Sequence, residues 1–311
     1  FHVARGQLRA KLVPPKASAQ FDLADTTLPD LIVGPAVDTE AAVVVQNCSA
    51  EPLCGLALEA TVAGDDAVRT QVPDLLPFGV RKVGFRLAGR TPAAEGEAKV
   101  ELKLLRQDAD ADKWTPLDSA TLTLAAKSPT ATHKRTFRSA IDGSVQYYAV
   151  VPAKSVAANS DSGPPPSALR PPPSLILTLH GAGVEALGQA VCYSSKPGVI
   201  TVAPTNRRPF GFDWEDWGRI DALEVLQLVQ KEFDTDPRRT FLTGHSMGGH
   251  GTRHVGVTFP DRFAAIGPSA GWVSMFSYAG ARRGQPEGGD SPSSGIAELL
   301  NRCMTPSDTL A

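Results

Sequence analysis

Cysteine is scarce: four residues in a chain of 311 are too few to build a disulfide scaffold. Cys192 and Cys303 show no metal-ligand spacing and read as structural. Cys48 and Cys54 flank Ser49-Ala50-Glu51-Pro52-Leu53, a turn-like stretch between two β-prone runs. That pair admits a bridge across a hairpin in an oxidising compartment, or two unpaired thiols. Long apolar runs are missing as well, since none approaches the roughly 20 residues of a membrane-spanning helix. An excess of one charge is also missing. The net charge of -2 provides no electrostatic reason for a nucleic-acid or anionic-membrane partner. No metal cluster, P-loop or dinucleotide fingerprint occurs, and no cofactor is expected. Phe1 is not an initiator methionine, and no charged-then-apolar leader precedes the first strand-like segment, so both ends read as cut.

A hydrophobic share of 42% beside 21% charged residues describes a globular protein rather than a disordered or fibrous one. The length allows one large core or two ordinary ones. Residues 1–127 read as all-β. Ala98, Val100, Leu102 and Leu104 alternate with Glu97, Lys99, Glu101 and Lys103, the period of a half-buried strand. Val83, Phe85 and Leu87 alternate in the same way. Further short strands are expected at Leu31-Ile32-Val33, Val43-Val44-Val45 and Leu56-Ala57-Leu58. Short strands separated by Gly, Pro and Asp turns favour a sandwich, and this module resembles an immunoglobulin-like fold.

From residue 128 the pattern changes. Phe137 to Ile141 and Gln146 to Val151 read as two strands around Asp142-Gly143, a hairpin turn signal. Residues 155–173, rich in Ser, Ala and Pro, cannot bury a core and read as an exposed loop. Leu175-Ile176-Leu177-Thr178-Leu179 and Val199-Ile200-Thr201-Val202-Ala203 are continuous apolar runs, which marks strands covered on both faces. Ile220, Leu223, Leu226, Val229 and Phe233 recur at helical spacing. Thr240 to Thr243 and Phe263-Ala264-Ala265-Ile266 supply two more strands, with a helix between them. Strands alternating with helices predict an α/β class with a mostly parallel sheet and helices on both faces.

Gly244-His245-Ser246-Met247-Gly248-Gly249 fits the G-x-S-x-G nucleophile elbow, a sharp strand-to-helix turn that exposes a reactive serine. A serine hydroxyl is a weak nucleophile until a base takes its proton, so Ser246 needs an imidazole partner. His180-Gly181-Ala182-Gly183 follows the first apolar strand. Glycines there let backbone N–H groups approach the negative charge that develops on a tetrahedral intermediate. The expected donors are the amides of Met247 and of Ala182 or Gly181. Serine acyl transfer requires no metal.

Residues 133–278 resemble the front half of an α/β-hydrolase of the esterase and prolyl-oligopeptidase-like kind. The resemblance is carried by Leu179-His180-Gly181-Ala182-Gly183, Ala203-Pro204-Thr205-Asn206, Gly211-Phe212-Asp213-Trp214 and Gly244 to Gly249. Pro260-Asp261-Arg262-Phe263, leading to Ser269-Ala270-Gly271-Trp272, completes it. This last stretch is similar to secreted polyester depolymerases and feruloyl esterases. The resemblance implies a triad in the order Ser, then Asp or Glu, then His. An extracytoplasmic home, secreted or periplasmic, is favoured.

Six histidines are available to supply the base. His2 and His133 come too early, His180 belongs to the oxyanion loop, and His245 adjoins the nucleophile. His250 and His254 lie down the helix that follows Ser246. Asp261 is too early for the acid, and no strand precedes Asp290 or Asp308. The expectation is that acid and histidine lie beyond residue 311, leaving 128–311 an incomplete hydrolase domain, inactive alone. In α/β folds the loops at strand carboxyl ends line the ligand site. This makes Trp272 and Trp214 candidates for substrate contact. For Trp214 and Trp217, burial behind a helix capped by Asp213 or Asp216 is the competing reading. Arg207 and Arg208 are expected to pair with the carboxylates of residues 213–216. The chain thus reads as a serine hydrolase of small-molecule or polymer esters, with peptides as a lesser option. A non-catalytic binding or adhesion protein with a degenerate hydrolase domain is the rival.

Overall fold

The computed structural model describes residues 14–90, 92–110, 112–154, 171–207 and 214–273. The expected loop at 155–173 falls almost wholly outside them, as do His2, Asp290, Cys303 and Asp308. The fold is mixed α/β and rich in strands.

Every strand up to Lys127 belongs to one of two sheets. The strands are β1 (Ala19–Thr27), β2 (Leu31–Ile32), β3 (Val37–Asn47), β4 (Leu56–Val62), β5 (Val68–Val72), β6 (Val80–Gly89), β7 (Gly96–Gln107) and β8 (Trp114–Lys127). One sheet has the order β1-β3-β6 and the other β2-β8-β7-β4-β5. Their inner faces share a core in which Val43, Val45, Phe85 and Leu87 meet Leu58, Leu102, Leu104 and Leu124. The alternation along β7 explains this directly: Val100, Leu102 and Leu104 are buried while Glu101 and Lys103 face solvent. Cys48 and Cys54 are free thiols.

β3 departs from alternation, with Ala41 through Val45 all buried. Its outer face is covered by the next pair of strands, β9 (His133–Arg138) and β10 (Val145–Val151). Thr39 Oγ1 lies 3.0 Å from Thr136 Oγ1, and Arg138 pairs with Glu40 at 2.6 Å. Gly84 of β6 sits so close to Val145 that an added Cβ would lie 2.6 Å from its Cγ2.

The β9–β10 pair starts four residues earlier than expected, and its turn is longer. Pairing ends at Arg138↔Val145, and Ser139 to Ser144 form the connection. The reason lies in side-chain competition. Glu224 takes Ser139 Oγ and the Ala140 amide, while Asp142 Oδ1 takes Ser144, so these groups cannot join a ladder.

The third sheet has the order β14-β13-β11-β12-β10-β9. Here β11 is Ser174–Leu179, β12 Val199–Ala203, β13 Thr240–His245 and β14 Ala265–Ser269. The strand expected at 263–266 thus begins two residues later. β11 to β14 run parallel, while β10 is antiparallel to both its neighbours. Among the described residues three α-helices lie between them: α1 (Ala186–Ala190), α2 (Trp217–Glu232) and α3 (Met247–Thr258). Ala149 and Val151 of β10 pack with Ala186 and Ala190 of α1. Val150, between them, joins the opposite core with Ala222, Val225 and Val229 of α2 and Val255 of α3. Successive residues of one strand therefore bury against helices on opposite faces, and the apolar runs of β11 and β12 follow from that double cover. After β11 the chain goes to β12 on one side and then to β13 on the other. That reversal puts the carboxyl ends of β11 and β13 side by side, with Leu179 registered against Gly244.

Candidate active site

The β11–β13 register decides what meets at the sheet edge. β13 ends at His245, and Ser246 follows with φ +57° and ψ −119°, a conformation rare for residues other than glycine. Hydrogen bonds hold it there. Its amide donates to Ser269 O at 2.9 Å, and its carbonyl accepts from Gly249 N at 2.9 Å and His250 N at 3.1 Å. The turn is pressed onto the end of β11. A Cβ on Gly244 would lie 2.8 Å from Leu179 O, and one on Gly248 would collide with the same oxygen. Helix α3 begins at Met247, so the amides of Met247 and Gly248, which precede the first intrahelical bonds, lie at the positive end of the helix dipole beside Ser246. Ser246 itself is half-buried.

The loop after β11 stands against this turn. His180 is fully buried. Its Nε2 donates to Thr205 O at 2.9 Å, and its Nδ1 lies 2.9 Å from Gly181 O. The Cβ position of Gly181 is 3.6 Å from Ser246 Cβ and 3.3 Å from His245 O. Gly183 adopts φ +75°, and Val184 N closes the loop onto Gly181 O at 3.2 Å. Gly181, Ala182, Ser246 and Met247 are therefore brought to one place, with Ala182 exposed at its surface.

Trp214 is not part of a substrate-facing wall. Its side chain is completely buried, its Nε1 donates to His180 O at 3.0 Å, and its ring meets the His180 imidazole edge-on at 4.8 Å. Gly251 of α3 makes the space: a Cβ there would overlap the Trp214 side chain. That glycine on an otherwise packed helix face is the signal that pointed inward. Asp216 holds the N-cap position of α2, but its side chain makes no capping bond. Trp217 is exposed, 5.8 Å from the Arg207 guanidinium.

Trp272 is half-buried and stacks on His250, with ring centroids 5.3 Å apart and planes 16° apart. His250 donates from Nδ1 to Trp272 O at 3.1 Å and pairs through Nε2 with Glu215 at 3.0 Å. His245 is exposed and faces Ser269 Oγ at 3.4 Å. Burial lowers the pKa of His133. Among the described residues no side chain is hydrogen-bonded to Ser246 Oγ, and no cluster of metal-ligating residues occurs. No helix of the described residues is long and apolar enough to cross a membrane.

Arg207 does pair with carboxylates, but with others than those expected. It reaches Asp221 at 2.9 Å, Glu224 at 2.9 Å and Asp142 at 3.3 Å. Asp221 and Glu224 are three apart on α2 and so share a face. Two acids on an otherwise apolar helix face were the available signal. Burial pushes the Asp221 carboxyl up to about 6, against the pull of Arg207 and the Asn206 amide.

Comparison with known proteins finds esterases among the matches. Residues 204–291 match the family described as Putative esterase, consistent with an α/β-hydrolase-type esterase. The chain is 30% identical over 129 residues to the bifunctional acetylxylan esterase/xylanase XynS20E of Neocallimastix patriciarum, covering 39% of this chain and 19% of that protein. It is 29% identical over 153 residues to an uncharacterized secreted protein of Arthroderma benhamiae, covering 44% of this chain and 15% of that protein. The matched part thus spans less than a fifth of either curated relative's length. Among solved structures, the fluorophosphonate-binding serine hydrolase FphF of Staphylococcus aureus aligns with a TM-score of 0.38 and 19% identity. That alignment covers 52% of this chain and 63% of that chain.

Proposed function

We propose that the chain carries the nucleophile and oxyanion half of a serine ester hydrolase. The observation that carries this reading is the meeting of Ser246, on its left-handed elbow, with the backbone of Gly181. In this reading Ser246 Oγ attacks the ester carbonyl carbon, and the resulting oxyanion is held by the amides of Met247 and of Ala182 or Gly181. Each such donor is worth on the order of 10²–10³ in rate. A histidine takes the serine proton and returns it to the leaving alcohol, and water then cleaves the acyl-enzyme. That histidine and its acid follow Ser246 in chain order in this fold and come from outside the described residues. Trp272 borders the substrate from the α3 side. Carboxylic esters are favoured over peptides because the matching family is one of esterases. Residues 1–127 form an immunoglobulin-like module, supported by the two sheets with a common core, and 128–311 a hydrolase domain. A secreted or periplasmic home is favoured by the secreted relative.

Turnover of p-nitrophenyl acetate tests the division of labour. The 311-residue chain is expected at background rate. The gene product read past Ala311 is expected to turn it over in a Ser246-dependent way. Ser246-dependent turnover by the 311-residue chain itself would place the base within it. A longer product with no acid and histidine after later strands would favour a binding protein instead.

A further inference from the structure

We infer that Asp221 is a positioning residue for the oxyanion loop, setting through the 205–207 turn where His180 and Gly181 stand beside Ser246. The inference rests on reading residues 181–182 as that loop. Asp221 lies on α2, well away in sequence from both segments, and has no solvent exposure. Its Oδ2 accepts from Asn206 N at 2.9 Å, Thr205 N at 3.2 Å and Thr205 Oγ1 at 3.4 Å. Its Oδ1 is 2.9 Å from Arg207 Nε, an ionic contact too bent to count as a hydrogen bond. Two successive amides converging on one carboxylate oxygen form an anion-binding concavity, here filled by the protein's own side chain.

The turn pays a conformational cost for this arrangement. Asn206 and Arg207 are both left-handed, with φ +58° and +60°. Non-glycine residues hold such angles only where the surroundings over-determine them. Asp221 does so from one side. From the other, Arg207 is fixed by Glu224 at 2.9 Å and Ser139 Oγ at 3.0 Å. The consequence reaches the site in one step, because Thr205 O accepts from His180 Nε2 at 2.9 Å. The next peptide is Gly181, packed against Ser246. A buried ion pair is by itself weak evidence for stability, so its worth here is better sought in geometry. An asparagine at 221 would keep one acceptor oxygen but turn an amide or an uncharged oxygen toward Arg207, freeing the turn from its anion.

The test is spectroscopic and needs no turnover. In this chain uniformly labelled with ¹⁵N, the His180 Nε2–H and the amides of Gly181, Ala182 and Gly183 are followed in wild type and Asp221→Asn. The expected result is loss of the His180 ring-proton resonance to solvent exchange, with shifted loop amides, while α3 amides such as Val255 keep their positions. A variant with lowered melting temperature but wild-type His180 and loop resonances would overturn the inference, because a purely stabilising residue leaves the native geometry unchanged. Should Asp221→Asn not fold, Arg207→Lys, which keeps the charge but not the Nε contact, is expected to move the same resonances. Unchanged resonances there would likewise overturn it. Failure of Ser246 to react would refute the proposed chemistry and leave these shifts as they are.

Discussion

Trp214 donates its indole N–H to the carbonyl oxygen of His180 across 3.0 Å. The tryptophan is a pillar beneath the loop that holds Gly181 and Ala182, with its ring edge-on to the same histidine. Loop and nucleophile turn are therefore joined through the core as well as through the sheet register.

Trp214→Ala should cost about 3–5 kcal/mol, the range for deleting a large buried aromatic. Trp214→Phe keeps most of the packing but leaves a buried carbonyl without its donor, a loss of about 1–3 kcal/mol. Urea unfolding measures both. A phenylalanine variant of unchanged stability would show that the indole bond contributes nothing.

Gly248→Ala should be far more damaging than Gly143→Ala. At Gly248 the new methyl group collides with Leu179 O, whereas Gly143 has open space and only its φ of +71° to contend with. The first substitution forces α3 away from β11 and should cost more than about 4 kcal/mol. The second should cost about 1 kcal/mol. Melting temperatures of the two variants compare them directly. Equal losses would mean that the approach of α3 to β11 is not tight.

Stability should depend on pH through Asp221. Burial pushes its carboxyl up to about 6 in the fold, and Glu224 on the same helix pushes the same way. Arg207, the Asn206 amide and Thr205 pull it down. In the unfolded chain it returns to the ordinary 3.8. The folded state thus binds this proton more tightly, so its contribution is full below about 3.8 and lost as pH rises through about 6. Relative to Asp221→Asn, which carries no such proton, the wild type should lose about 2–3 kcal/mol between pH 4 and pH 6.5. Unfolding curves at the two pH values check this. A difference that grows with pH would contradict it.

Much of the strand and helix pattern was legible because burial is periodic. β7 alternates, β11 and β12 are mostly apolar and buried on both faces, and α2 repeats at helical spacing. The tight strand-to-helix turn at Ser246 was legible because small residues at 244, 248 and 249 have a steric reason that spacing alone reveals. What stayed hidden depends on contacts between distant segments. β9 begins with His-Lys-Arg-Thr, polar residues that lie in a strand because they pair with β10 and pack on β3. Trp214 is buried because Gly251, on a later helix, leaves room for it. Arg207 finds its partners on α2 and in the 139–144 turn rather than among its sequence neighbours. No periodicity reports such meetings.

The role proposed for Ser246 is that of a nucleophile presented by its elbow. Covalent labelling by a fluorophosphonate probe, read by peptide mass spectrometry in the folded full-length protein and in its Ser246→Ala variant, tests it most directly. A single adduct on Ser246 is expected in the wild type and none in the variant. A folded wild type that takes no label, or one labelled equally in the variant, would contradict it.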